Sequence, residues 1–201
     1  MSSIRFAAPL LAALSMAAGA AQAGVQLLTD PSQMTTDVLV DFESGIPTTG
    51  PVTFSPAAQI GLAGSWADNV TPSGSNGLTI ALESSPLVAT FSQPMQAVGF
   101  YFGNDDFGLA FDVTMSAYDA HGLVGSVSLP VNRNDRADQF IGLISDTALS
   151  YVEISYQRPQ AQSLSVYIDD FRATTAVPEP GSLLLAGFGL ATLALLKRRR
   201  A

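Results

Sequence analysis

From Val25 to Thr175 the apolar residues come in short or alternating runs, each broken within a few residues by Gly, Pro, Asn, Asp or Ser. A helix needs an apolar stripe of period about 3.6 kept up over several turns, whereas a strand needs only about four to eight residues of period two. The spacing therefore predicts an all-β, antiparallel body with no helix inside it. Alternation is clearest at 111–118, where Phe111, Val113, Met115 and Ala117 are expected to face a core and Asp112, Thr114, Ser116 and Tyr118 the opposite side. Val152, Ile154 and Tyr156 repeat the pattern.

The strands expected are Val38–Phe42, Leu78–Leu82, Leu87–Phe91, Ala97–Phe102, Phe111–Tyr118, Leu123–Leu129, Phe140–Ile144, Tyr151–Tyr156 and Leu164–Phe171. Asp119-Ala120-His121-Gly122 joins two of them as a hairpin, and Gly103-Asn104-Asp105-Asp106 ends another with turn formers. Many short strands punctuated in this way point to a single antiparallel β-sandwich, jelly-roll-like, over residues 24–175. Thr48 to Gly77, rich in Gly, Pro and Ser, reads as a long loop that either wraps the edge of the sheet or belongs to a binding face.

Two terminal segments stand apart from this body. Residues 1–23 carry Arg5, an apolar stretch from Phe6 to Ala18 and the small-x-small series Ala21-Gln22-Ala23, the layout of a secretory signal helix whose removal by signal peptidase leaves Gly24 first. Residues 176–201 hold Val177-Pro178-Glu179-Pro180, an apolar run over 182–196 and the basic cluster Lys197–Arg200. The two prolines keep the strip before the run extended and accessible. The run contains Gly187 and Gly189 and is shorter than the roughly 20 residues of a stable span, so it reads as a marginal transmembrane helix. The terminal cations stay on the cytoplasmic side and leave the body outside.

Val-Pro-Glu-Pro, a short Gly-interrupted apolar run and a terminal Arg cluster together resemble the PEP-CTERM sorting tail of Gram-negative bacteria. The resemblance implies that an exosortase in the inner membrane recognises Pro178-Glu179-Pro180 and cuts nearby. The body, anchored only transiently, is then freed for the cell surface or the exopolysaccharide matrix, much as other discarded hydrophobic tails work. The alternative is a plain single-pass anchor that is never cut, and changing Glu179 separates the two.

Charge narrows the partners. Residues 24–175 hold four arginines and no lysine against sixteen Asp and Glu, so nucleic acid is not an expected partner. The absence of cysteine excludes disulfides, thiolate metal sites and a cysteine nucleophile. Asp41-Phe42-Glu43 closes the first strong strand and Ile168-Asp169-Asp170-Phe171 lies in the last. If those strands are neighbours the carboxylates meet, and a hard, oxygen-seeking cation such as calcium relieves their repulsion. Glu43 and Asp169 are the favoured ligands, with Asp41 and Asp170 behind them, because adjacent strand residues point to opposite faces. The alternative is a set of ordinary solvated acids. The same two stretches resemble carbohydrate-binding-module jelly rolls, and that resemblance implies a structural calcium tying the first strand to the last.

Trp66, with Asp68 and Asn69 beside it in the long loop, is either a sugar-stacking contact or a plug packed on the body. Enzyme chemistry is not expected. The sole histidine, His121, sits in a hairpin turn, no Gly-x-Ser-x-Gly surrounds a serine, and no Gly-rich phosphate loop joins a strand to a helix. The expected function is a non-enzymatic structural or adhesive component of the cell surface or exopolysaccharide. The alternatives are a carbohydrate-binding module and, third, a polysaccharide-active enzyme with two facing carboxylates.

Overall fold

The computed structural model describes residues 24–55, 58–62, 71–80, 86–104, 111–132, 134, 136–157 and 166–176. Within them the chain forms ten strands: β1 Val25–Leu28, β2 Val38–Val40, β3 Val52–Phe54, β4 Ala58–Leu62, β5 Asn76–Ile80, β6 Leu87–Asn104, β7 Asp112–Tyr118, β8 Leu123–Pro130, β9 Gln139–Gln157 and β10 Val166–Thr175. The only helical piece among these residues is a 3-10 turn, Pro31–Gln33, capped by Asp30. All pairings are antiparallel. The sheet runs β4-β5-β10-β6-β9-β7-β8, with β1 added to β9, β2 to β10 and β3 to β6.

The two long strands organise the rest. β6 and β9 pair over Leu87–Thr90 with Tyr151–Ile154, lose register around Met95, and pair again over Ala97–Phe102 with Gln139–Ile144. Pro94 lies in that interruption, where its missing amide proton breaks no ladder bond. One half of the β6–β9 ribbon is flanked by β3 and β7, the other by β10 and β1. Inward side chains of the two halves touch: Phe54 of β3 lies edge-on to Phe171 of β10 at 5.2 Å, and Phe102 of β6 lies edge-on to Phe111 at 6.3 Å. Met95 and Leu149, paired at the corner, are fully buried.

The alternation expected at 111–118 is present, with Phe111, Val113, Met115 and Ala117 all buried. The hairpin at 119–122 is present too: the Asp119 amide donates to the Gly122 carbonyl, while the Asp119 carboxylate accepts from the amides of His121 and Gly122. Three expectations are corrected. Leu87–Phe91 and Ala97–Phe102 are one strand, as are Phe140–Ile144 and Tyr151–Tyr156, because a bulged ladder carries the chain through Ser92–Pro94 and Asp146–Ala148. The stretch 48–77 is not one long loop, since it contains β3, β4 and the start of β5. Val25–Leu28 is a strand that its four residues alone did not announce, made by pairing with β9. The segments read as signal helix and membrane-spanning helix lie outside the described residues. Among the described residues no helix is long and apolar enough to cross a membrane.

Candidate functional site

The acids singled out at the two ends of the body meet at one junction. β10 is bordered on one side by two strands laid end to end: β5 pairs with Val166–Ile168 and β2 with Phe171–Ala173. Asp169 and Asp170 fall between them, where the register with β6 also shifts and Asp170 takes φ +48°. Asp41, Phe42 and Glu43 leave β2 at this gap, and residues 71–75 lead into β5 across it. Phe42 has φ +57°, a conformation disfavoured for a bulky residue. Its ring is buried edge-on to Phe54 at 5.4 Å, which offsets the strain and turns Glu43 outward from the core.

Glu43 and Asp169 both grip the 73–76 segment. Glu43 Oε1 accepts from the amides of Ser75 (2.8 Å) and Asn76 (2.6 Å). Asp169 Oδ2 accepts from the amide and hydroxyl of Ser73 (3.1 and 3.0 Å), and its Oδ1 accepts from the amide of Asp170 (2.7 Å). The other two acids are occupied elsewhere. Asp41 caps its own turn by accepting from the Glu43 amide at 3.2 Å, and Asp170 pairs with Arg172 at 2.9 Å. The Arg172 guanidinium in turn lies over the Tyr101 ring, 5.8 Å from its centroid.

Asp169 is fully buried, and that burial pushes its carboxyl up to about 6. The amides of Asp170 and Ser73 and the Ser73 hydroxyl pull it back down, and the negative charge of Asp170 raises it further. The site can thus hold two carboxylates against the same short loop by feeding them amide protons. Among the described residues no group of three or more His, Asp or Glu side chains converges to hold a metal ion. The residues that sequence reasoning missed are Ser73, Gly74, Ser75 and Asn76. Their run of small polar types signals a turn, but nothing local shows that two carboxylates close on it. The approach is closest at Gly74, which has φ +51° and where a β-carbon would lie 2.1 Å from Glu43 Cδ.

A second surface lies on the outer side of β7, β8 and β9. Ser116 and Ser126 are bonded at 2.9 Å, Thr114 donates to Ser128 at 3.1 Å, and Ser155 stands beside Thr114. Tyr118 and Tyr151 stack at 4.5 Å with planes 5° apart, and the Tyr118 hydroxyl donates to Glu153 at 2.9 Å. That bond, with burial behind it, raises the Tyr118 hydroxyl above its usual range. Trp66, Asp68, Asn69, Asp105 and Asp106 lie outside the described residues, as do Ala21, Ala23 and Val177–Pro180; Gly24 precedes β1 directly.

No curated protein matches the chain. Among solved structures it is similar to TmCBM61, a carbohydrate-binding module solved in complex with beta-1,4-galactotriose, at 18% identity and a TM-score of 0.40, covering 68% of this chain and 94% of that one. Residues 176–200 match the PEP-CTERM protein-sorting motif, on the Pro-Glu-Pro, apolar and basic segments set out above. The chain therefore carries a PEP-CTERM sorting tail and is an exported, membrane-passing protein directed to an exosortase.

Proposed function

We propose that this protein is a non-enzymatic structural or adhesive component of the cell surface or exopolysaccharide. Signal peptidase frees it between Ala23 and Gly24, its tail holds it briefly in the inner membrane with the body outside, and exosortase cleavage near Pro178-Glu179-Pro180 releases it. The observation that carries this reading is the sorting motif at 176–200. The test is Glu179→Gln in the native host. Full-length, membrane-bound chain should accumulate at the expense of the shorter released form, whereas a plain hydrophobic anchor would be indifferent to the change. The jelly-roll-like sandwich reading of the body is supported by the contacts Phe54–Phe171 and Phe102–Phe111 between the two halves of the sheet.

Calcium at the junction stays part of the proposal, with Glu43 and Asp169 as ligands and Asp41 and Asp170 behind them. The convergence of residues far apart in sequence on one loop supports it. An ion there would compete with the amide protons of Ser73, Ser75 and Asn76 for the same oxygens.

The second reading is carbohydrate binding, and the outer face of β7–β9 favours it. Rows of hydroxyls beside two partly buried, stacked tyrosines offer hydrogen-bonding groups next to aromatic rings. Glycan binding that is lost on Tyr151→Ala, with the fold retained, would support this face. Loss on Trp66→Ala instead would shift the contact to the 63–70 segment.

A further inference from the structure

The root of the sorting tail is tied into the sheet. The Asp37 carboxylate accepts from the amide and hydroxyl of Thr175 at 2.8 and 2.6 Å, and the Asp37 amide donates to the Ala173 carbonyl at 3.0 Å. One residue back, the Thr174 hydroxyl donates to the Thr35 carbonyl. One residue on, the Ala176 amide donates to the Pro94 carbonyl at 3.0 Å. Every one of these contacts joins the end of β10 to chain that is distant in sequence.

Val177-Pro178-Glu179-Pro180 begins at the very next residue. An extended chain advances at most about 3.6 Å per residue, so Pro178 stays within about 7 Å of Ala176. A processing enzyme takes its substrate as detached, extended backbone, which is why cleavage concentrates in exposed and locally opened segments. Here the backbone on the N-terminal side of the motif is already committed to the sheet. Resting on the exosortase reading above, we propose that the clasp formed by Asp37, Thr35 and the Pro94 carbonyl on residues 174–176 gates processing of the tail: the end of β10 must peel away before the motif can be seated and cut. Asp37 is a positioning residue in this scheme. It never touches the reacting bond, and it sets how often the substrate is presented. Asp37, Thr35 and Pro94 are all solvent-exposed, so water competes for these bonds and the clasp can open without unfolding the core.

The experiment follows cleavage of the full chain over time in cells that contain the exosortase. When opening is fast relative to cutting, the rate tracks the population of the open form. Removing a pair of charge-assisted bonds by Asp37→Ala should therefore speed cleavage about three- to tenfold. A six-residue Gly/Ser insertion between Ala176 and Val177 bypasses the clasp and should speed it at least as much. Asp37→Ala placed on top of the insertion should add nothing. An unchanged or slower rate in either single variant overturns the proposal. So does an equal gain from Asp37→Ala in the inserted background, which would mean that the whole body had been loosened. If Asp37→Ala fails to fold, Thr175→Val removes the hydroxyl half of the clasp and takes its place in the same comparison. Glu179→Gln run alongside separates the two levels of the argument. Wild-type chain left uncut, or Glu179→Gln cut as fast as wild type, sinks the sorting reading and this inference with it, whereas normal Glu179-dependent cleavage that ignores clasp and spacer sinks this inference alone.

Discussion

Asp169 is buried among strands yet keeps three hydrogen-bond donors on its carboxylate, and burial outweighs the donors, pushing it up to about 6. The sign of the consequence is unusual for an aspartate. A group that binds its proton more tightly in the folded chain than in the unfolded one adds stability as pH falls through its folded value, and leaves an uncompensated charge above it. Without calcium, the melting temperature of the body should therefore rise between pH 7 and pH 5, with a stability gain of about 1 kcal/mol over that window. Asp30 and Asp37 do not blur this window. Their carboxyls are lowered by bonds from Ser32 and Thr175, so their contributions are lost only below the ordinary value of 3.8. Excess calcium should raise the pH 7 melt and flatten the trend if Glu43 and Asp169 hold an ion, and EDTA should reverse that rise. A melt indifferent to both leaves the amide protons of 73–76 as the sole counter-charge. Gly74→Ala tests the same grip sterically. With φ +51° and Glu43 Cδ 2.1 Å from the new methyl, the glutamate must swing off the Ser75 and Asn76 amides, and the substitution should cost about 1–2 kcal/mol in a urea titration.

At the scale of elements, stability depends on β6 and β9 passing through both halves of the sheet and on the rings that bridge them. Phe171 touches Phe54 on one side and stacks on Phe100 on the other, at 5.2 and 6.3 Å. Phe171→Ala should cost about 3–5 kcal/mol, read as a lower urea midpoint with an unchanged slope. A loss near zero would mean that the two halves do not share a core. The elements legible in the sequence were those whose own pattern sufficed. β7 declares itself by Val113, Met115 and Ala117, and its hairpin with β8 by Asp119 and Gly122. β3 and β4 were not legible, because three residues beside Pro51 and a run containing Gly61 carry no pattern of their own and become strands only through β6 and β5. The breaks read between Phe91 and Ala97 and between Ile144 and Tyr151 coincide with real irregularities of the ladder, but pairing across them is a long-range fact that local composition does not encode. The candidate site divides the same way: its carboxylates were visible as acids beside aromatic strand ends, whereas the loop they hold was visible only once β2 and β5 lay end to end.

Over the whole molecule, charge is distributed to match the itinerary written in the tail. Five of the nine basic residues, Arg5 and Lys197–Arg200, lie in the terminal segments, and the body carries four arginines against sixteen acids. In the proposed route, the cations of the attached tail face the anionic inner leaflet and hold the chain to the membrane. With the tail cut away as proposed, the four arginines that remain are outnumbered by sixteen acids, and the body's own charge repels it from acidic lipid and acidic glycan alike. The released form should therefore elute from an anion exchanger at higher salt than the uncut chain. The same charge decides how the body can join a matrix. Cosedimentation with an acidic polysaccharide should require a divalent cation to bridge carboxylate to carboxylate, should disappear in EDTA, and should weaken as added salt screens the bridging charges. Retention of a neutral glycan through the Tyr118–Tyr151 face should need no cation and should be insensitive to salt. Tight, cation-independent binding of an acidic polysaccharide at low salt would contradict this account, because sixteen acids and four arginines offer no surface on which such a partner could settle unaided.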